Sequence, residues 1–373
     1  MLLIFLFLVA FFLAYGNGAN DNFKGVATLF GSNTTNYKRA IDWATATTFL
    51  GSVSAIFLAS ALVKNFSGKG LVPNELVQAP AFAAAVALGA ALTVFLATKI
   101  GMPISTTHSL VGGLFGAGIV GVGSAFNFSK LGNTFLMPLV VSPILALGVS
   151  LVVYWFFRKC RIALGITKES CVCFGDEMKV VSQLNCDKDF IALPIETQKS
   201  IRSATEAECT EVYQGRFLGL NAQTVLDFAH YLSAGVVSFA RGLNDTPKIV
   251  GLLLVINALD IRWGMVAIAV AMAIGGLLNA RKVGETVSKR ITPMNHGQGF
   301  TANLITGLLV TTASIHGLPV STTHVSVGSI FGIGTVTKKA DWGVVTQIVL
   351  AWVLTLPVAA LLSALIYWVM IQF

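Results

Sequence analysis

Ten stretches of about 20 apolar residues constrain this chain more than any other feature, because about 20 helical residues span the hydrocarbon core of a bilayer. They lie near residues 3–32, 41–63, 77–98, 103–122 and 133–157, then near 217–256, 264–280, 297–315, 317–336 and 344–371. Lipid offers a backbone no hydrogen-bond partner, so segments of this kind are helical. The expected fold is an all-α polytopic membrane protein. Composition agrees: only 11% of the 373 residues are charged and 55% are apolar, against about 25% charged in a soluble domain. Met1–Ala14 is signal-like in length, but it has no basic start and a polar motif follows where cleavage would occur, so it reads as the first membrane segment.

The net charge of +8 first suggests a polyanionic partner. Its distribution excludes nucleic acid. The one long polar stretch, 158–216, carries 9 basic and 9 acidic residues, so the whole excess (16 basic minus 8 acidic) sits in or beside the apolar segments. All five cysteines, Cys160, Cys171, Cys173, Cys186 and Cys209, fall in that stretch. They are odd in number and lack CxxC spacing, and are expected to be reduced thiols without a function.

The two sets of five segments are copies. Gly101–Gly118 matches Gly317–Gly334 at 11 of 18 positions, and Asn17–Gly31 matches Arg241–Val255 at 6 of 15. The domains are therefore a first transmembrane repeat (1–157), a cytoplasmic loop (158–216) and a second repeat (217–373). An odd number of crossings per half inverts the second copy. With the N-terminus outside, thirteen Lys and Arg fall inside and four outside, which obeys the positive-inside rule and leaves both termini outside. Two inverted-topology repeats with broken or re-entrant helices at the midplane are the plan of a secondary transporter.

Two motif pairs carry the chemistry. Asn20-Asp21 and Asn244-Asp245 put carboxylates inside apolar segments, where an ionised group normally pairs or binds a cation. Gly16-x-Gly18 should break the helix, freeing carbonyl oxygens that complete a hard-oxygen site suited to Na+. The alternative is a salt bridge one turn on, from Asp21 to Lys24 and from Asp245 to Lys248. Ser105-Thr106-Thr107-His108 and Ser321-Thr322-Thr323-His324 follow Pro103 and Pro319. Proline stops a helix and Ser caps one, so each run should open a half-helix whose amides and hydroxyls converge on an anion. Face to face, two such ends would surround a tetrahedral oxyanion. His108 and His324 read as satisfied buried histidines, the glycines after them as packing positions. Lys99, Glu285, Asp227 and Gln223 are further site or gate candidates. No G-x-S-x-G elbow or metal set is present, so an enzyme is not expected. A cation channel would explain the aspartates but not the hydroxyl-rich helix starts.

Gly18-Ala19-Asn20-Asp21, its partner Gly242-Leu243-Asn244-Asp245, the two P-x-S-T-T-H runs and the central loop together resemble the PiT family of inorganic phosphate transporters. The resemblance spans essentially the whole chain. It departs at Asn22-Phe23-Lys24, where many relatives have small apolar residues and an Asn, and at Thr246-Pro247-Lys248. It implies Na+-coupled symport of inorganic phosphate across the cell membrane by alternating access, with an H+-coupled phosphate or sulfate permease as the alternative. Phosphate would be held by Ser105, Thr106, Thr107, Ser321, Thr322 and Thr323 with Asn20 and Asn244. Na+, the co-transported ion, would be held by Asn20, Asp21, Asn244 and Asp245 with Ser105 and Ser321. The lipid bilayer is the other partner, no organic cofactor is implied, and a homodimer is compatible with the plan.

Overall fold

The computed structural model describes residues 1–180, 195–213, 215, 217–256 and 260–372. It forms two compact units, one of Met1–Trp155 with His230–Phe373 and one of Phe156–Ala229.

The larger unit is helical. Seven helical stretches are long and apolar enough to cross a membrane: Leu2–Gly31, Tyr37–Leu58, Pro80–Ile100, Thr106–Ala125, Phe128–Ala163, Ile261–Asn279 and Trp342–Met370. Helices Ala222–Val250, His296–Ile315 and Thr322–Thr337 complete the set expected from the apolar runs. Many of these helices meet through glycine. A Cβ on Gly18 would lie 1.9 Å from the Met272 carbonyl oxygen, and one on Gly275 would lie 2.0 Å from that of Tyr15, so Leu2–Asp21 and Ile261–Asn279 touch backbone to backbone. Gly242 against Thr48 (2.1 Å) and Gly51 against Phe239 (2.0 Å) do the same for Ala222–Val250 and Tyr37–Leu58. Lipid supplies no hydrophobic drive between helices, so such small-residue contacts provide the packing attraction.

These contacts correct one expectation. The helix does not break at Gly16-x-Gly18; it runs unbroken from Leu2 to Asp21 and only then tightens into a 3-10 turn, Asn22–Val26. In the second copy the helix continues through Arg241–Asp245 to Val250 before its own 3-10 turn, Gly251–Val255. Gly18 and Gly242 serve close approach, with the backbone still in the right-handed helix.

The half-helices do form as expected. Gly101 (φ +76°) and Gly317 (φ +70°) adopt the left-handed conformation that closes the preceding segment and that residues with a Cβ rarely take. Extended residues follow, and Ser105 and Ser321 cap the helices Thr106–Val122 and Thr322–Thr337 by accepting from the amides of His108 (3.1 Å) and His324 (3.3 Å).

The smaller unit is not a bare loop. Ser170–Val180 is the middle strand of an antiparallel sheet, between Ile195–Thr205 and Phe217–Asn221. The period-2 alternation of a strand puts Cys171 and Cys173 inside while Val172 and Phe174 face out. Thr205 and Glu208 form a capping box on the short helix Glu206–Val212, and hydrogen bonds from Thr205 hold the Glu208 carboxyl below its usual range. Cys173 and Cys209 form a disulfide, which overturns the expectation of reduced thiols for those two. Among the described residues Cys160 and Cys171 are free thiols, and burial together with nearby Glu206 pushes the Cys171 thiol up. Cys186 lies outside the described residues.

Candidate functional site

The two motif pairs meet in one buried cluster. Among the described residues the buried Asp, Glu, Lys and Arg side chains are Asp21, Lys24, Arg241, Asp245 and Lys248, all at most 5% exposed, and all five belong to this cluster. Their sum is +3 − 2 = +1. A buried net positive charge is an environment for an anion.

Lys24 donates to Asp21 Oδ1 in a short ion pair, to Asn20 Oδ1 (2.8 Å), to the Ile104 carbonyl (2.8 Å) and to Thr323 Oγ1 (2.7 Å). Lys248 mirrors it, donating to Thr107 Oγ1 (2.7 Å), to the Val320 carbonyl (2.7 Å) and to Asp245 Oδ1 (3.3 Å). Each lysine thus joins its own Asp to the hydroxyl run of the other copy. The runs also grip each other: Thr107 donates to the Val320 carbonyl (3.3 Å) and Thr323 to that of Ile104 (3.0 Å). The salt-bridge alternative is therefore what the structure shows. The carbonyls expected from a break at Gly16-x-Gly18 come instead from Ile104 and Val320, in the extended segments that Pro103 and Pro319 enforce.

At the centre Asn17 donates to Asp21 Oδ2 (3.0 Å), Thr106 Oγ1 (3.0 Å) and Asp245 Oδ2 (3.3 Å), while its own Oδ1 accepts from Arg241 (2.6 Å). Thr106 also donates to Asp21 Oδ2 (3.0 Å). Arg241 reaches Asn22 Oδ1 (2.9 Å), and its Nε lies 3.8 Å from Asp245 Oδ2. Asn20 donates to Thr98 (3.0 Å) and the Met102 carbonyl (3.0 Å), and Asn244 to the Val320 carbonyl (3.1 Å) and Thr322 (3.2 Å). Asn244 fastens the second half-helix to its motif helix, and Asn20 ties the other motif helix to the extended segment that leads into the first half-helix. Ser105 and Ser321 use their oxygens as helix caps, and Thr106, Thr107 and Thr323 donate within the buried cluster, so the helix-start hydroxyls are drawn together and already partnered.

The profile of the phosphate transporter family matches residues 17–363. The chain belongs to the phosphate transporter family. Two relatives match over nearly their whole length. One, from Thermococcus kodakarensis, whose name of phosphate permease is an inferred one, is 26% identical over 98% of this chain and 97% of its own. Another, from Rhizobium meliloti, named by inference a low-affinity inorganic phosphate transporter, is 26% identical over 98% of this chain and 96% of its own. A solved structure titled the sodium-dependent phosphate transporter superposes with a TM-score of 0.76 at 24% identity, over 100% of this chain and 99% of that one, and so shares the fold. The protein is a multi-pass membrane transporter and not an enzyme.

Of the other candidates, Lys99 is exposed beside Phe95, and Glu285 pairs with exposed Arg281. Gln223 donates to Asp227 (2.7 Å) in the smaller unit. His108 and His324 pack with ring centroids 4.4 Å apart and His324 stacks on Trp352. They line an apolar cavity of about 510 Å³ that none of the five buried charges lines, and among the described residues His108 Nδ1 has no hydrogen-bond partner, unlike the satisfied histidine expected. Asn17 and Arg241 join the buried cluster and were not among the expected site residues. The signal was present: they are the first aligned pair of the duplicated block, both polar in apolar runs.

Proposed function

We propose that this protein carries inorganic phosphate across the cell membrane as a Na+ symporter, by alternating access around the two helix starts. The observation that carries this reading is the pair of capped half-helices whose hydroxyls meet a buried cluster of net charge +1. Helix N-termini and hydroxyls hold a tetrahedral oxyanion without sequestering it as tightly as a fully desolvated cation would. Thr106, Thr107, Thr322 and Thr323 would turn their hydroxyls from their present partners to the anion, Ser105 and Ser321 set the helix ends, and Asn20 and Asn244 hold the segments together.

Two aspartates alone would repel the anion by about 4 kcal/mol each at 4 Å with an effective dielectric near 20. Lys24 and Lys248 each take an Oδ1 of one aspartate, which removes most of that repulsion. The Asn17 amide bridges the Oδ2 atoms of Asp21 and Asp245, and Thr106 also donates to that of Asp21; a co-ion that displaces the Asn17 amide would use both oxygens. Sodium is favoured as that ion by the fold shared with a protein titled as sodium-dependent. Coupling follows as linkage: a cation there raises phosphate affinity, and phosphate raises cation affinity by the same factor.

The positive-inside charge count favours both termini outside and the smaller unit in the cytoplasm. The Cys173–Cys209 disulfide pulls the other way, since disulfides persist in oxidising compartments. The half-buried free thiol of Cys160, in the smaller unit, reports on this directly. It should react with a membrane-impermeant thiol reagent only after the cell is opened, and labelling in intact cells would put the smaller unit outside. The function itself is tested by labelled-phosphate uptake into proteoliposomes under a Na+ gradient, a proton gradient or neither. Uptake should require Na+ and be competed by phosphate more than by sulfate. Equal uptake under a proton gradient in Na+-free buffer would replace Na+ with H+ as the coupling ion.

A further inference from the structure

The lysines of the cluster sit in surroundings that describe a cation site better than a simple ion pair. Around Lys24 Nζ are four oxygens of four kinds: a carboxylate (Asp21), an amide (Asn20), a backbone carbonyl (Ile104) and a hydroxyl (Thr323). Around Lys248 Nζ are a carboxylate, a carbonyl and a hydroxyl at equivalent positions of the other copy. An ordinary buried ion pair needs one carboxylate. A cage of carboxylate, carbonyl and hydroxyl oxygens from three separate chain segments is how a protein replaces the water around a hard monovalent cation. Both side chains are 1% exposed, so neither ammonium is hydrated from outside the protein.

We infer that the ε-ammonium groups of Lys24 and Lys248 are built-in cations that fill two oxygen cages otherwise fit for Na+, so that each stands in for one transported ion. The inference rests on the reading of this site as a cation-coupled phosphate carrier. A tethered cation gives the anion the same local positive charge as a bound ion, but it does not cross the membrane and draws nothing from the ion gradient. The carrier then couples phosphate to fewer Na+ ions than its number of oxygen cages, the remaining ion reaching Oδ2 of Asp21 and Asp245 by displacing the Asn17 amide that bridges them. It loads phosphate at low Na+ concentration and concentrates it less steeply.

The test empties one cage. In Lys24→Asn the short side chain leaves the four oxygens without their ammonium, whereas Lys24→Met removes the charge but keeps the bulk. Purified wild type and both variants are melted in NaCl and in choline chloride of equal ionic strength, without phosphate. Na+ should raise the melting temperature of Lys24→Asn by about 5 °C more than that of wild type at a hundredfold saturation, and Lys24→Met should show no such gain. In proteoliposomes the ratio of labelled Na+ to labelled phosphate should be no more than one in wild type and rise by one in Lys24→Asn. Equal Na+ effects on wild type and Lys24→Asn, or a wild-type flux ratio of two or more, would overturn the inference. If Lys24→Asn does not fold, Lys248→Asn asks the same question at the equivalent cage, and the wild-type ratio decides by itself. Absence of phosphate transport in wild type would instead remove the functional reading, while the Na+ melting shifts still judge the cages.

Discussion

At the scale of single residues, the Asp21–Lys24 pair is the part of the site where loss of the carboxylate alone strands a buried charge. Among the described residues Asp21 is the only carboxylate bonded to Lys24, so Asp21→Asn leaves a buried ammonium without its counter-charge. Breaking such a pair costs about 3–5 kcal/mol. Asp21→Asn should therefore lower the yield of folded, monodisperse protein on size exclusion, and adding Lys24→Met should restore the yield without restoring transport. A double variant that folds no better than Asp21→Asn would show that the pair is not what the substitution breaks. The i,i+3 spacing of Asp21 with Lys24 was legible in the sequence. What surrounds Lys24 was not, because Ile104 and Thr323 lie 80 and 299 positions away and meet it only through the packing of both copies.

At the scale of elements, the capped half-helices were readable because proline, serine and the left-handed glycine act locally, within a few residues of Pro103 and Pro319. Gly16 and Gly18 misled for the opposite reason. Glycine permits a break, but it also permits contact, and only the neighbouring helix decides between them. Gly18→Ala tests this. Its Cβ would fall 1.9 Å from the Met272 carbonyl, so the helices must separate, at about 1–3 kcal/mol for an overpacked contact. The melting temperature should fall by several degrees, whereas alanine at Gly148, where a Cβ meets nothing within 4 Å, should leave it unchanged. A Gly18→Ala variant as stable as wild type would argue that the two backbones are not in contact there.

At the scale of the whole molecule, duplication made the site legible. Each motif alone is ambiguous: an Asp-Lys pair could be structural, and a Ser-Thr-Thr run could bond back within its own helix. Finding both twice, in the same order, ties four segments to one place, where the structure joins each motif to the hydroxyl run of the other copy. The small sheet of Phe156–Ala229 was hidden because its two longer strands, Ser170–Val180 and Ile195–Thr205, carry three charged residues each, so the polar stretch reads as a loop. The central claim is that phosphate sits between the two helix starts and is gripped by hydroxyls of both copies. Saturable binding of labelled phosphate to the purified protein, compared with Thr106→Val/Thr322→Val, tests it most directly. The account predicts saturable binding in wild type and at least about tenfold weaker binding in the double variant, the loss of two hydrogen bonds to a charged ligand. Unchanged affinity in a folded double variant would contradict it.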